Sequence, residues 1–287
     1  MTRTLGLMVC TTLLLVGCRK GDQVPTYVDI PSVALNASDA EGGSTSKITD
    51  VWVSVNDRSV GVWELPASVP VLGAGNARIT VTPAVKRNGA FDDRLRYPYY
   101  TAYNASVELV PEATVNLAPT VAYTAGAGFW YERFNDAGNL LTVSDGSDTT
   151  MLVYTAADHP TVLRDGTSCG GFVLETARPN FTAFTTEDFA AANGPAYIEL
   201  DYSTDVNLTI GLTYVQNGNT QYEPWVILVP TTDEGGIRWN KVYIDVSTLF
   251  NVSGISQRDI YLGSFLPSSQ GTAHVYLDNL KLIRSAP

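Results

Sequence analysis

Apolar and polar residues alternate with a period of two along most of this chain. Val28, Ile30 and Ser32 alternate with Tyr27, Asp29 and Pro31, which predicts a first strand over 25–35. Val51, Val53 and Val55 alternate with Trp52 and Ser54. Asn56-Asp57 turns the chain, and Val60, Val62 and Glu64 then alternate with Gly61, Trp63 and Leu65, completing a hairpin. Pro66 and Pro70 are expected to break the next ladder. Further strands are expected over 77–82, as a tyrosine-rich pair across 94–110, and over 114–117. A linker rich in Ala and Gly occupies 118–128. Alternation then resumes, predicting strands at 129–134, 171–176, 196–202, 208–216, 223–229, 240–245, 259–265 and 274–283. Only 186–192 and 247–250 suit helical turns, with Ser247 as an N-cap. The expected fold class is all-β: two β-sandwich domains, residues 24–123 and 124–287, the second with the strand spacing of a jelly roll.

Composition narrows the chemistry. Charged residues make up 16% of the 287 positions, well below the ~25% usual for globular domains. Gly, Ser, Thr, Asn and Tyr take their place, as in turn-rich extracellular β modules. The formal net charge of −11 argues against a nucleic-acid partner and against adhesion to anionic lipid through a basic patch. No G-x-x-x-x-G-K loop is present for a nucleotide, and no H-E-x-x-H motif for metal-dependent hydrolysis. The histidines, His159 and His274, have no metal-ligand spacing. Of the three cysteines, Cys169 sits in a turn-like Ser-Cys-Gly-Gly stretch and is expected to be a small buried residue.

Three segments carry resemblances. Arg3, an apolar run over 5–16, and Leu14-Leu15-Val16-Gly17-Cys18 resemble the signal peptide and lipobox of bacterial lipoproteins. The resemblance implies removal of residues 1–17, acylation of Cys18, a tether over 18–23, and a lipid-anchored protein of the bacterial outer membrane, on its periplasmic face or at the cell surface. Residues 48–83 resemble a PEGA-type surface-layer module, through Val51-Trp52-Val53-Ser54-Val55-Asn56-Asp57, Gly61, Leu65-Pro66, Gly75 and Ile79-Thr80-Val81. That implies a transthyretin-like sandwich acting as a non-catalytic spacer. The C-terminal run Ala273-His274-Val275-Tyr276-Leu277-Asp278-Asn279-Leu280-Lys281-Leu282-Ile283 resembles the last strand of galactose-binding-like jelly rolls, including carbohydrate-binding modules. Phe129-Trp130-Tyr131-Glu132-Arg133-Phe134 resembles their first strand.

Candidate sites follow. Tyr214, Tyr222, Trp225 and Trp239 have polar flanks and could stack on sugar rings; the competing reading has them plug the core. Arg94, Arg96, Tyr97, Tyr99 and Tyr100 form a stretch rich in interface-type residues, a candidate for gripping an outer-membrane protein, or else an edge strand covering the sandwich. Glu199 and Asp201 lie two apart on a strand and share a face. They form either the acid pair of a jelly-roll glycoside hydrolase or lyase, or a solvated strand face. Because first and last strands lie side by side in the resembled fold, Glu132 and Asp278 could share a structural Ca²⁺; otherwise no cofactor is expected. The preferred function is a non-catalytic surface lipoprotein binding glycan or an envelope protein. The alternatives are a structural subunit of an outer-membrane complex and an enzyme using Glu199 and Asp201.

The anchor is directly testable. Cys18→Ser should move the protein from the membrane to the soluble fraction, or leave the signal uncleaved, because lipobox lipoproteins carry several acyl chains and bind firmly. Metabolic labelling with a clickable fatty acid should mark wild type only. Equal labelling of both would rule out the lipobox.

Overall fold

The computed structural model describes residues 24–136, 138–232 and 236–285; the expected signal and the Cys18 tether lie outside the described residues. The N-terminal sheets are built from β1 (Thr26–Ile30), β2 (Ala34–Leu35), β3 (Asp50–Val55), β4 (Arg58–Glu64), β5 (Ala67–Val71), β6 (Gly75–Lys86), β7 (Arg94–Arg96), β8 (Tyr103–Leu109), β9 (Thr114–Asn116) and β10 (Thr120–Val121). The C-terminal sheets use β11 (Ala127–Glu132), β12 (Leu141–Val143), β13 (Leu152–Thr155), β14 (Ser168–Glu175), β15 (Asn180–Thr185), β16 (Ala196–Thr204), β17 (Leu208–Gln216), β18 (Asn219–Leu228), β19 (Asn240–Asp245), β20 (Ile255–Phe265) and β21 (Thr272–Ser285). The short helix α1 (Ser247–Asn251) precedes β20.

In the N-terminal half the sheet β5-β1-β9 lies against β4-β3-β6-β7, with β8 also paired to β6. Val28, Ile30, Val69 and Val71 of one sheet meet Val51, Val53, Ile79 and Val81 of the other, all buried. Full burial of each such side chain contributes about 1.5–3 kcal/mol. Contrary to expectation, Pro70 does not break its strand. β5 is the sheet's edge, so the missing N–H faces no neighbour. The expected 94–110 pair also differs: β7 and β8 both bond to β6, and the tyrosines between them leave the sheet.

The C-terminal half is a jelly roll. One sheet runs β13-β14-β21-β16-β19, with β11 on the far part of β21; the other runs β12-β15-β20-β17-β18. The chain passes repeatedly from one sheet to the other. Phe172 of β14 stacks on Phe181 of β15 across the core, with centroids 3.7 Å apart. Sequence reading missed β12, β13 and β15. The expected helical turn at 186–192 is replaced by extended chain that bridges Phe189 to Arg258.

The two halves share a core. Tyr97, Tyr99 and Tyr100 pack against Tyr197 and Tyr243 of the jelly roll, with Tyr97 centroids 5.1 and 5.0 Å from those two rings. The Tyr100 and Tyr243 hydroxyls are 3.1 Å apart. At the tip of β6, Arg87 bridges to Tyr243 in parallel. The Asn88 N–H donates to the Tyr243 carbonyl, and the Asp245 N–H donates to the Asn88 side chain, each at 2.8 Å.

Below the tyrosines lies a buried ion network. Lys241 Nζ stands 3.2 Å from Glu199 Oε2 and 3.4 Å from Asp201 Oδ2, with all three side chains almost wholly buried. Asp201 also accepts from the Thr45 hydroxyl at 2.5 Å and from Asn279 Nδ2 at 3.1 Å. Glu199 accepts from the Tyr123 hydroxyl at 3.0 Å. Lys281 Nζ donates to the Gly43 carbonyl at 2.8 Å and the Tyr123 hydroxyl at 3.2 Å. Burial alone would push the Lys241 ammonium down, but Asp201 and Glu199 together outweigh it and hold its pKa above the usual lysine value.

Two neighbouring groups give stability opposing pH dependences. Burial, opposed by the Asn279 N–H and reinforced by Asp201, pushes Asp278 from 3.8 up to about 8. The folded state therefore holds a proton that the unfolded chain releases, and stability falls as pH rises from 3.8 towards about 8. Burial, opposed by Glu199, lowers Lys281 from 10.5 to about 8; there the unfolded chain holds the extra proton, and stability rises from about 8 to 10.5. Asp278→Asn should flatten the falling limb in thermal melts and leave the rising limb. An unaltered falling limb would place its origin elsewhere.

Candidate functional site

The junction covers the outer face of one jelly-roll sheet and leaves the outer face of β12-β15-β20-β17-β18 open. Alternation assigns the side chains. Phe181 and Ala183 of β15, Ile260 and Leu262 of β20, and Leu208, Ile210 and Leu212 of β17 turn into the core. Thr182 and Phe184, Tyr261 and Gly263, and Thr209 and Gly211 therefore turn outward. Register aligns Phe184 with Tyr261 and Gly211, and Thr182 with Gly263, Thr209 and Ile227.

Three rings cluster on this face. Centroid separations are 6.0 Å for Phe184–Tyr222, 5.8 Å for Phe184–Tyr261 and 6.5 Å for Tyr222–Tyr261, the last pair nearly perpendicular at 87°. Tyr222 is 61% exposed. Tyr261 lies along the sheet because residue 263 is glycine: a Cβ there would sit 2.2 Å from the Tyr261 hydroxyl oxygen. Beside this ring runs a trough of about 630 Å³, floored by Thr182, Gly263 and Thr209 and flanked by Asn180, Asn207 and Phe265. The floor row crosses four strands, about 14 Å at the usual strand spacing. Such a surface offers apolar ring planes next to neutral hydrogen-bonding groups. Two residues before Tyr261, burial pushes Asp259 up to about 6, tempered by the Thr185 hydroxyl at 3.1 Å and reinforced by Asp188.

The predicted aromatic residues do not form one surface. Tyr222 is on the open face. Tyr214 and Trp225 are half-buried against the jelly-roll core; Trp225 is the extra residue of a bulge in β18, and its Nε1 donates to the Asp245 carbonyl at 2.7 Å. Trp239 packs on the opposite sheet, near buried Cys169, and donates to the Val162 carbonyl at 3.1 Å. Phe184 and Tyr261 were missed, although the alternation in Asn180-Phe181-Thr182-Ala183-Phe184-Thr185 could have disclosed the first.

The partner-binding stretch needs correcting. Tyr97, Tyr99 and Tyr100 are at most 4% exposed, gripping the jelly roll of the same chain rather than another protein. Arg94 pairs with Asp50 at 2.8 Å and reaches Glu64 at 3.6 Å, while Arg96 lies 4.1 Å over the Trp52 ring. Glu199 and Asp201 likewise form neither a solvated face nor an open acid pair: both are fully buried and bonded to Lys241. Glu132 and Asp278 play separate parts. Glu132 accepts from the N–H groups of Phe134 and Leu140, whereas Asp278 accepts from the Asn279 N–H and has its other oxygen buried without a partner. No group of three or more His, Cys, Asp or Glu disposed to hold a metal occurs among the described residues.

No protein-family model matches the chain, and no curated protein matches it. Among solved structures it is similar to a family 61 carbohydrate-binding module in complex with β-1,4-galactotriose, at 13% identity over 50% of this chain and 87% of that one, TM-score 0.32. A carbohydrate-binding module of the β-sandwich superfamily is 12% identical over 84% of this chain and 86% of its own, TM-score 0.36. The Clostridium thermocellum xylanase 10B modules complexed with xylohexaose are 8% identical over 54% of this chain and 28% of theirs, TM-score 0.40. These likenesses concern the β-sandwich fold and assign no residue.

Two glycines on the open face should respond differently. At Gly263 an added Cβ meets the end of a side chain that can rotate away, so Gly263→Ala should fold with a stability change within about 0.5 kcal/mol and lift the Tyr261 ring off the sheet. At Gly211 the added atom would lie 2.2 Å from the Glu223 carbonyl oxygen, so Gly211→Ala should destabilise by about 1–3 kcal/mol. Denaturant melts of both variants, with a crystal structure of the first, check this. Equal destabilisation would mean that Tyr261 is locked in place.

Proposed function

We propose that this protein is a non-catalytic glycan-binding module, carried on the bacterial envelope by an acylated Cys18. The observation that carries the reading is the Tyr261 ring held flat over Gly263, with Tyr222 and Phe184 beside it and a floor of Thr and Asn side chains. Sugar rings present C–H faces to aromatic planes and hydroxyls to neutral donors and acceptors, so this surface suits their chemistry. A non-catalytic role is supported by the burial of Glu199 and Asp201, which no polymer could reach without separating the two halves. In this reading the N-terminal sandwich is a spacer between the anchor and the jelly roll. The alternative of a structural subunit held through residues 94–103 loses support, since the tyrosines of that stretch are consumed within the chain.

A glycan array followed by calorimetry tests the proposal. The folded wild type should bind at least one polysaccharide. Tyr222→Ala and Tyr261→Ala should each weaken that binding about tenfold, near the ~1.4 kcal/mol of one ring contact, and Tyr222→Ala should melt within about 0.5 kcal/mol of wild type. A blank array with folded protein, or binding unchanged in both variants, would refute it.

A further inference from the structure

The trough beside Tyr261 has no charged lining. The chain carries 18 Lys and Arg and 29 Asp and Glu, yet every described residue that lines the trough is neutral. The polar side chains are amides and hydroxyls, from Asn180, Thr182, Asn207, Thr209, Ser264 and Ser268, and the walls are Tyr261 and Phe265. A carboxylate bonded to one of these residues adds negative charge: Asp148 accepts from the backbone and side-chain amides of Asn180 at 3.0 and 2.9 Å.

From this we infer that the trough selects uncharged stretches of polysaccharide and rejects the same backbone when it bears carboxylates or sulfates. The inference rests on the glycan reading of this face and adds its charge selectivity. A neutral hydroxyl exchanges water hydrogen bonds for Thr and Asn hydrogen bonds at little net loss. A carboxylate entering the trough sheds hydration and meets no cation in return. It also approaches a protein of net charge −11, whose field opposes anions. Since no ion pair forms with the ligand, affinity is insensitive to screening.

Matched polymers test this on the full chain. Soluble mixed-linkage glucan, galactan and mannan are each compared with a C6-carboxylated derivative, by calorimetry at low salt and at about 0.5 M NaCl. The expected result is that a neutral polymer binds at least about tenfold more tightly than its carboxylated form. Its Kd should change less than about twofold with salt, and Tyr261→Ala should weaken it. Carboxylated polymer binding equally or better, or affinity that falls steeply with salt, overturns the charge selectivity and leaves the glycan reading standing. Neutral binding that Tyr261→Ala does not weaken overturns the assignment to this trough. Failure of every polymer to bind overturns the glycan reading and this inference together.

Discussion

The rest of the structure depends on one ammonium group. Glu199 and Asp201 project from the same side of β16 into a dry space, and two adjacent buried carboxylates cannot remain there uncompensated. Lys241 on β19 supplies the countercharge, and the remaining lone pairs are met by Thr45, Tyr123, Asn279 and Arg164. Thr45 and Tyr123 belong to the N-terminal part of the chain. Pulling the two halves apart would therefore strip the acids of donors as well as expose the tyrosine cluster. Apolar contacts supply area, while the polar network demands a particular register, since each donor must reach its oxygen.

That demand decides which surface is left for a ligand. A jelly roll has two outward faces. The network commits the β13-β14-β21-β16-β19 face to the junction, and the opposite face stays in solvent. Its rings cluster near the middle of the sheet, and its floor is kept low by Gly263 and two threonines. The acidity of the whole molecule is thus spread around a neutral patch.

Period-two alternation disclosed which residues share a face and so made the all-β class legible. It could not disclose what covers a face. Glu199 and Asp201 were correctly placed together, but their burial depends on Lys241, 40 residues beyond Asp201, and on loop residues more than 150 positions before it. The residues at 94–103 have the composition of an interface and do form one, within the chain. For Trp225 the sequence left open a ligand face or the core; a bulge in β18 packs its ring against the core, with its Nε1 on the Asp245 carbonyl of β19. β15 escaped notice because its short Asn-Phe-Thr-Ala-Phe-Thr run has no β-branched apolar residue, and the platform lost one of its rings with it.

The docking of residues 87–89 on β19 has a further consequence. β19 is the last strand of its sheet, and a terminal strand is a template on which another chain can add its own backbone. Here Asn88 occupies the Tyr243 carbonyl and the Asp245 N–H, and Arg87 lies within 3.6 Å of the Asp245 carboxylate. The N-terminal sandwich thereby covers part of the edge on which another chain could add a strand. Where copies are concentrated, that cover removes a template for edge-to-edge pairing between molecules.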